Sequence, residues 1–370
     1  MNIFYLTKNI NEPRGGELVF SNLVNHIKTK NDILVFNYKK GDSQQFKTIN
    51  VDCPKLPFDY GLFDHFFSQK AVKKIFEQIK IQKPDLIHIN QITGLSLLNL
   101  KKTGIPIIYT IHHPFSVDFK ISWKETKNVF EKLKALLKYG YLMFVQKKLV
   151  QGFDYITTVS NDSAKKISKD YKVNLDKITV IYNGIDFNKF TKTTEKQINT
   201  VLTSGSFTHP RRGFKYAFKV YEELDKLGIN VFDIGRRTPE QENLLSKLRN
   251  VKSFSIVDQD ELIRLYSNAS LSISTSLYEG FGLSILESIA CETPCIAFAS
   301  GGAKEILEQI DSELLVAPKD TKLMVEKIVQ LMNDPNISEK AREYRKIAEE
   351  KFNLNKSLEA YEKLYQKLTS

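Results

Sequence analysis

Short apolar runs alternate with longer amphipathic stretches along the first half of the chain. The stretches between runs carry apolar residues at helical spacing and predict helices at 17–28, 69–82, 93–102 and 162–169. The apolar runs predict strands at 3–6, 33–37, 85–90, 105–111, 155–159 and 178–181. Strands that alternate with helices in this way form a parallel sheet with crossover helices, so the pattern predicts the α/β class.

The alternation is interrupted once and then resumes. Residues 183–186 read Asn-Gly-Ile-Asp, a turn sequence, and a polar segment follows at 187–197. Further strands are predicted at 200–204, 229–234, 251–255, 271–274, 295–299 and 313–316. At 370 residues the chain exceeds one ordinary core. We therefore predict an N-terminal domain over 1–182, a C-terminal domain over 183–355 and a final helix within 356–370.

The most informative motif joins a predicted strand to a predicted helix. Residues 278–287 read Tyr-Glu-Gly-Phe-Gly-Leu-Ser-Ile-Leu-Glu, and residues 283–290 have the spacing of a packed helix. A glycine turn at a helix N-terminus presents bare N–H groups and positive dipole charge, which suit a phosphate. Glu279 precedes the turn and Glu287 lies about two helical turns later. The two carboxylates are therefore expected at opposite ends of one elongated ligand, such as a nucleoside diphosphate sugar.

This motif, continued through Ala290 to Pro294, resembles the retaining glycosyltransferases of family 4. That family has the GT-B fold, in which two Rossmann-like domains face one another across a cleft. The resemblance implies that Glu279 contacts the donor sugar and that Glu287 binds the ribose hydroxyls. It also implies that the final helix crosses back onto the N-terminal domain. The turn predicted to hold the sugar and the diphosphate consists of Gly280, Phe281, Gly282 and Leu283.

Two loops of the N-terminal domain carry further candidates. Gly15 and Gly16 stand at a helix start after the first strand, where paired glycines let an anion approach the backbone, and the resemblance places them at the donor diphosphate. His112 ends the predicted strand at 105–111, at the edge where a parallel sheet places ligand groups. It resembles the family's histidine that touches the donor sugar near the reacting carbon, although a lone histidine is more often structural. His113 and Asp118 are candidates for acceptor binding.

The loop at 203–213 departs from the family pattern. Relatives carry an arginine and a lysine there to neutralise the departing diphosphate, and Ser206 and Arg212 occupy those positions here. Arg212 keeps the charge and can bind a phosphate through two hydrogen bonds, whereas a serine hydroxyl cannot balance a phosphate charge. Either Arg211 or Arg14 supplies the missing cation, or the donor is held more weakly. Solvated arginines at a helix start are the alternative interpretation.

An Asp-x-Asp sequence at 258–260 resembles the metal motif of GT-A enzymes. It directly precedes a predicted helix, so Asp258 is interpreted as a helix cap. Val257 matches the region in which family members hold the nucleobase through main-chain contacts. No Cys/His spacing matches a zinc site. We predict no metal and no cofactor, because the nucleoside diphosphate sugar is a substrate.

The chain is basic, and the excess lies in its first half. It carries 54 Lys and Arg against 43 Asp and Glu, a net charge of +11. Residues 1–180 hold 28 basic and 16 acidic residues, whereas residues 181–370 hold 26 and 27. Such a surface suits anionic lipid, nucleic acid or acidic sugars, and a lysine-rich proteome produces the same excess. No aromatic-basic motif of a nucleic-acid reader occurs, so no nucleic-acid partner is predicted.

Cysteine count and hydropathy indicate the compartment. Cys53, Cys291 and Cys295 are too few for a disulfide framework and fit a reducing cytosol. The first residues lack the pattern of a signal peptide, and no apolar run reaches the length that spans a bilayer. We therefore expect a cytoplasmic protein, with peripheral contact at the inner face of an anionic membrane as a further location.

A basic amphipathic stretch at 123–150 carries the most direct candidate for that contact. Its apolar residues at helical spacing are Phe130, Leu133, Leu137, Tyr141 and Phe144. Its seven lysines are Lys124, Lys127, Lys132, Lys134, Lys138, Lys147 and Lys148. Such a surface can lie on anionic lipid. Packing of the apolar row onto the N-terminal sheet is the more frequent arrangement and is our expectation.

The resemblance as a whole implies a metal-independent retaining transferase that moves a hexose from a nucleoside diphosphate sugar to an acceptor hydroxyl. UDP-glucose and GDP-mannose are the favoured donors because the family uses them most often. The acceptor is a carbohydrate, a lipid-linked molecule or a small molecule, in glycan, glycolipid or small-glycoside synthesis. The residues assigned to catalysis are His112, Glu279 and Arg212.

Two alternatives belong to other classes. A basic protein that binds nucleic acid or membrane without transferase activity would explain the charge of the first half, but not the Glu279/Glu287 motif. Another GT-B enzyme would share the fold. A phosphorylase, however, needs a pyridoxal lysine context and an epimerase a different acidic set, and the sequence shows neither.

Overall fold

The computed structural model describes residues 1–10, 15–38, 46–53, 62–197 and 199–370. The chain divides into two compact units. The N-terminal unit comprises Met1–Tyr182 and Asn355–Ser370, and the C-terminal unit comprises Asn183–Leu354. The first predicted boundary, after residue 182, coincides with the observed one. The second, predicted after residue 355, lies one residue beyond the observed boundary after Leu354.

The N-terminal unit contains a seven-stranded sheet in which every pairing is parallel. Its strands are β1 (Asn2–Thr7), β2 (Asp32–Asn37), β3 (Thr48–Asn50), β4 (Leu86–Asn90), β5 (Ile107–Ile111), β6 (Tyr155–Thr158) and β7 (Ile178–Val180). The strand order is β3-β2-β1-β4-β5-β6-β7. Every residue of β4 and β5 is buried, as in strands that are covered on both faces.

The helices that precede the second unit are α1 (Gly16–Ile27), α2 (Leu62–Ile81), α3 (Phe115–Glu125), α4 (Val129–Gly152) and α5 (Asn161–Tyr171). One hydrophobic core joins side chains of the central strands to those of α2, α4 and α5. The helix predicted at 93–102 is a 3-10 helix over Leu95–Thr103. The strand β3 was missed, because its sequence Thr-Ile-Asn has one apolar residue between two polar ones and forms no apolar run.

The stretch at 123–150 is not one helix. It is divided between α3 and α4, and the side chain of Asn128 caps α4 by accepting a hydrogen bond from Phe130 N at 2.8 Å. The expected packing of its apolar row is also wrong. Phe130, Leu133, Leu137 and Phe144 are 50% to 63% exposed, and only Tyr141 packs against the core. The reason is that α4 turns a different face inward, which includes Val145 and Leu149.

The C-terminal unit contains a six-stranded parallel sheet of order β10-β9-β8-β11-β12-β13. Its strands are β8 (Thr200–Ser204), β9 (Asn230–Ile234), β10 (Val251–Phe254), β11 (Leu271–Ser274), β12 (Cys295–Phe298) and β13 (Leu315–Val316). Its helices are α6 (Phe214–Lys226), α7 (Pro239–Leu245), α8 (Gln259–Asn268), α9 (Leu283–Ala290), α10 (Gly301–Ile310), α11 (Thr321–Met332) and α12 (Ile337–Phe352).

The final helix, α13 (Leu354–Thr369), packs into the N-terminal unit. The hydroxyl of Tyr365 lies 2.5 Å from Nδ1 of His88, whose Nε2 lies 2.6 Å from Oγ1 of Thr110. Burial lowers the pKa of His88 to about 3, so the imidazole is neutral and serves as a buried structural link. Tyr361 is buried beside it.

Both sheets reverse their strand order at an equivalent place. In the N-terminal unit the reversal lies between β1 and β4, and in the C-terminal unit it lies between β8 and β11. Open parallel sheets bind ligands outside the carboxyl ends of the strands at such a reversal. We therefore expect the ligand-binding groups of each unit among the residues that follow these four strands.

Candidate functional site

Polar side chains link the carboxyl ends of three neighbouring strands in the N-terminal unit. Asn90, at the end of β4, donates from Nδ2 to Oγ1 of Thr7, at the end of β1, over 3.3 Å. The amide oxygen of Asn90 lies 2.7 Å from Nε2 of His112, which follows β5. Because an amide oxygen only accepts, Nε2 carries the imidazole proton. Nδ1 of His112 is then an acceptor, and it has no hydrogen-bond partner among the described residues.

The charge state of His112 follows from its surroundings. Burial, with neighbouring His113 as a smaller cause, lowers the pKa of His112 to about 3. The ring is therefore neutral at physiological pH. It offers a lone pair to a ligand hydroxyl rather than a positive charge to a phosphate.

The predicted glycine pair lies directly against this histidine. A Cβ atom at Gly16 would lie 2.5 Å from Cδ2 of His112, so only glycine permits the approach. Gly15 has a φ of 56°, and no side chain of the described residues caps the first turn of α1. The N-terminus of α1 and the ring of His112 therefore lie side by side.

Gln91 holds the backbone of this site and was missed by the sequence analysis. Its Oε1 accepts a hydrogen bond from His112 N at 2.6 Å, and its Nε2 donates to the His113 carbonyl at 3.4 Å. Its φ of 43° is rare for a residue with a side chain, and such strain is concentrated at functional sites. The sequence feature that indicates this role is the Asn-Gln pair at 90–91, where the apolar strand at 85–90 ends.

The two acceptor candidates contact each other. Nε2 of His113 lies 2.9 Å from Oδ2 of Asp118, which is buried in the first turn of α3. The side chain of His113 is partly exposed, whereas that of Asp118 is not. Asp118 therefore orients His113, and His113 is the member of the pair that faces solvent.

In the C-terminal unit the structure brings Arg212 and Glu279 together. Nη1 of Arg212 forms an ion pair with Oε1 of Glu279, although 67 residues separate them in sequence. The Glu279 side chain is 7% exposed and that of Arg212 is 30% exposed. The guanidinium therefore fixes the carboxylate with one nitrogen and has further N–H donors for a ligand. The loops that carry them are joined by a 2.8 Å bond from Leu277 N to the Arg211 carbonyl.

A second glycine pair, which the sequence analysis missed, supports the turn after Glu279. Gly302 N donates to the Glu279 carbonyl at 2.9 Å. A Cβ atom at Gly301 would lie 2.2 Å from that carbonyl oxygen, and one at Gly302 would lie 2.3 Å from the carbonyl oxygen of Phe281. The signal was a glycine pair at a strand-to-helix junction, the same pattern as Gly15 and Gly16.

The other turn residues lie where the motif predicts. Gly280 and Phe281 are buried, and Gly282 precedes α9. Within the described part of the chain, no side chain caps the first turn of α9. Leu283 is the first residue of α9. The N-terminus of this helix therefore keeps backbone donors for an anion.

Glu287 lies on α9 and is partly buried. The hydroxyl of Tyr266 donates to the Ser284 carbonyl at 3.2 Å and lies 3.5 Å from Oε2 of Glu287. Burial raises the pKa of Glu287 to about 7, and the contact with Tyr266 opposes part of that rise. The carboxyl therefore changes its charge near neutral pH.

This titration gives a prediction for nucleotide binding. An ionised carboxylate accepts ribose hydroxyls about 1 kcal/mol better than a neutral group, which is about fivefold in affinity. Glu287→Gln should therefore bind a nucleoside diphosphate about fivefold more weakly than the parent at pH 8. The ratio should shrink towards one at pH 6, because protonation below the raised pKa of about 7 removes the parent's advantage.

Calorimetry on both proteins at each pH gives the measurement. Protonation of the ligand's own phosphate affects the parent and Glu287→Gln equally, so its effect cancels in the ratio of their affinities. Equal affinities at pH 8 would remove Glu287 from the ribose site.

The Ser206 hydroxyl has hydrogen-bond partners other than Arg211. Its hydroxyl lies 3.0 Å from Oγ1 of Thr208 and 3.3 Å from the Arg236 carbonyl. Nη1 of Arg211 donates to the Tyr278 carbonyl at 3.3 Å. Arg14 lies outside the described residues. A third arginine, Arg236, is exposed at the carboxyl end of β9, and within the described ranges its guanidinium makes no hydrogen bond or ion pair.

We therefore predict that Arg236 supplies charge that Ser206 lacks. Arg236→Ala should weaken binding of a nucleoside diphosphate up to about fivefold, the range for an exposed ionic contact of about 1 kcal/mol. Ser206→Arg should restore affinity in the Arg236→Ala background, because the two backbones adjoin. Arg249→Ala is the matched control, since Arg249 is exposed before β10, at the opposite end of the strands. Loss of affinity in Arg211→Ala but not in Arg236→Ala would identify Arg211 instead.

Two remaining assignments concern the end of β10. Oδ1 of Asp258 accepts a hydrogen bond from Glu261 N at 2.8 Å and caps α8, which confirms the interpretation as a helix cap. Val257 is partly exposed beside it. Over the part of the chain that the structure describes, no group of three or more His, Cys, Asp or Glu could hold a metal ion.

Comparisons with known proteins fit this architecture. The family described as Glycosyltransferase Family 4 matches residues 13–189, and that described as Glycosyl transferases group 1 matches residues 185–351. The MMP alpha-(1->4)-mannosyltransferase of Mycolicibacterium hassiacum is 27% identical over 259 residues, which are 68% of this chain and 62% of that enzyme.

Two solved structures share the whole fold. Sucrose-phosphate synthase from Thermosynechococcus elongatus superimposes with a TM-score of 0.80 at 18% identity, over 99% of this chain and 98% of that one. HepE from Anabaena, in complex with UDP-glucose, gives a TM-score of 0.74 at 17% identity, over 99% of this chain and 100% of that one.

Proposed function

Because this chain is a glycosyltransferase of family 4 with the GT-B fold of two Rossmann-like domains, we propose that it is a retaining, metal-independent hexosyltransferase. It moves a hexose from a nucleoside diphosphate sugar to an acceptor hydroxyl. The observation that carries this proposal is the ion pair of Arg212 and Glu279 beside the uncapped N-terminus of α9, at the reversal of strand order.

The donor is bound through charge and through hydrogen bonds to hydroxyls. Arg212, the N-terminus of α9 and the N-terminus of α1 at Gly15 and Gly16 neutralise the diphosphate. Glu279 accepts hydrogen bonds from the sugar, and the neutral ring of His112 accepts one through Nδ1. Glu287 binds the ribose hydroxyls, and Val257 contacts the base through its main chain.

Transfer with retention places the acceptor on the face from which the diphosphate departs. The bond from the anomeric carbon to the phosphate oxygen breaks, and a bond from that carbon to the acceptor oxygen forms on the same face. The leaving phosphate oxygen takes the acceptor proton. Because the acceptor oxygen attacks the anomeric carbon directly, the reaction needs no side-chain nucleophile. Positioning of the two substrates and positive charge at the departing diphosphate supply the catalysis.

The donor and the acceptor are proposed by chemical class. UDP-glucose and GDP-mannose are the favoured donors, supported by the mannosyltransferase relative and by the UDP-glucose complex of HepE. The acceptor is a carbohydrate, a lipid-linked molecule or a small molecule, oriented by His113 and Asp118. We propose that the protein acts in the cytoplasm without a cofactor and without nucleic acid.

Release of nucleoside diphosphate from UDP-, GDP- and ADP-sugars tests the proposal. One donor class should turn over, the rate should not change with a chelator, and NMR of the product should show the donor's anomeric configuration. An inverted anomer would contradict retention, and loss of activity with the chelator would contradict metal independence. Thermal stabilisation by an oligonucleotide but by no nucleoside diphosphate would contradict the proposed function as a whole.

A further inference from the structure

Exposed apolar side chains are concentrated on one part of the N-terminal unit. Among the described residues, fifteen large apolar side chains are exposed, and seven of them lie between residues 123 and 144. Single exposed apolar residues are normal on a soluble protein, but a contiguous group marks a surface that contacts something apolar. Over the described part of the chain, no helix is long and apolar enough to cross a membrane.

Four of these side chains form a row along α4. Phe130, Leu133, Leu137 and Phe144 recur at spacings of three, four and seven, so they lie on one face of the helix. They are 63%, 50%, 57% and 50% exposed. Trp123, at the end of α3, is 43% exposed. It joins the row because Nζ of Lys132, on α4, lies 5.3 Å from its ring. We call these five residues the apolar face.

The apolar face is bordered by positive charge. Lysine ammonium groups lie 4.5 Å from the Phe130 ring and 5.8 Å from the Phe144 ring, contributed by Lys134 and Lys148. Helix α4 contains five lysines, and its single acidic residue, Glu131, is bound to Lys134. Apolar and aromatic residues flanked by lysines are the composition of helices that lie in the interface of an anionic bilayer.

We propose that the apolar face docks on a bilayer that contains anionic lipid, with its aromatic rings at headgroup depth and its lysines among the phosphates. Charge decides between this occupant and a second copy of the chain. Two copies meeting face to face would bring two lysine-rich helices together, whereas an anionic bilayer complements them.

The position of the apolar face also indicates the chemical class of the acceptor, and this inference rests on the proposed function. Asp118, which holds His113, lies five residues before Trp123 on α3. At 1.5 Å per residue that is about 7.5 Å along the helix axis. A membrane that holds Trp123 therefore lies close to the acceptor side of the site. The acceptor hydroxyl is then one that a lipid carries.

Sedimentation of the protein with vesicles tests the docking. Binding to vesicles of phosphatidylcholine with one-third phosphatidylglycerol should exceed binding to phosphatidylcholine alone at least about tenfold, and salt should weaken it. Phe130→Ser with Leu137→Ser should reduce binding about tenfold or more through lost apolar insertion. Lys132→Gln with Lys134→Gln and Lys138→Gln should reduce it up to about a hundredfold and remove most of the salt dependence.

Leu227→Ser with Leu175→Ser is the matched control, because these exposed apolar residues lie outside α3 and α4. The control should bind vesicles as the parent does. Equal binding to both kinds of vesicle, or binding to neither, would overturn the proposal. A dimer in ultracentrifugation that Leu137→Ser dissociates, without vesicle binding, would assign the face to a second copy.

Release of nucleoside diphosphate without vesicles separates the docking from the chemistry. The replaced residues lie outside the candidate site, so each variant should keep the parent's rate. Lost vesicle binding with unchanged release supports docking. Docking with transfer to soluble acceptors only would overturn the lipid-borne acceptor and leave the transferase proposal standing.

Discussion

Glu279→Ala should reduce hexose transfer well over tenfold while the C-terminal unit stays folded. The carboxylate is held by Arg212 and is almost fully buried, so it is already oriented for the sugar hydroxyls. Hydrogen bonds to a charged group contribute about 1.5–3 kcal/mol each, and about 1.4 kcal/mol is tenfold in rate. Initial rates with the donor that the parent accepts give the measurement.

A matched control separates this effect from a general loss of negative charge. Glu223 lies on α6 in the same unit and forms an exposed pair with Lys226. Glu223→Ala should keep the parent's rate, and thermal unfolding should show both variants folded. Unchanged turnover in a folded Glu279→Ala protein would show that the carboxylate does not act on the sugar.

Arg212→Met should reduce turnover about a hundredfold or more. The substitution removes positive charge at the departing diphosphate, and loss of one such preorganised group costs about 2.7–4 kcal/mol in the transition state. It also leaves the buried carboxylate of Glu279 without its cation. The turnover of Arg212→Lys should lie between those of the parent and Arg212→Met, because lysine keeps the positive charge but cannot form a bidentate hydrogen-bonded contact. The measurement is kcat with saturating donor.

The contact between the two side chains predicts how the effects combine. Arg212→Met with Glu279→Ala should be less impaired than the product of the single effects, since each single variant already breaks the same ion pair. Effects that multiply fully would show that the two residues act independently. Equal turnover of Arg212→Met and the parent would assign the diphosphate to other cations.

Local pattern was enough to predict the family and the fold. The strand, glycine turn and helix around Glu279 and Glu287 are specified within about twenty residues, and the comparisons confirm the family and fold that they indicate. Boundaries were less accurate where tertiary contacts set them. α2 begins seven residues earlier than predicted, and β13 is reduced to two residues after a 3-10 turn.

Partners from different segments could not be read from the sequence. Asn90 and Gln91 hold His112 from the next strand, Gly301 and Gly302 support the turn after Glu279, and Arg236 adjoins Ser206. Each contact depends on which strands are neighbours, and periodicity along one segment does not contain that information. The roles of all these residues in binding and catalysis stay predictions.

The sequence by itself determined the alternation of strands and helices, the glycine turns, the glutamate motif and the basic first half. Each of these depends on composition or on residues that are near in sequence. Only the tertiary structure decided that Arg212 pairs with Glu279, that Gly16 lies on His112 and that α4 turns its phenylalanines outward. The physical reason is that a helix with apolar residues on several faces buries whichever face fits the sheet. The spacing of its apolar residues is the same whether a given row of them packs against the sheet or stays exposed to solvent.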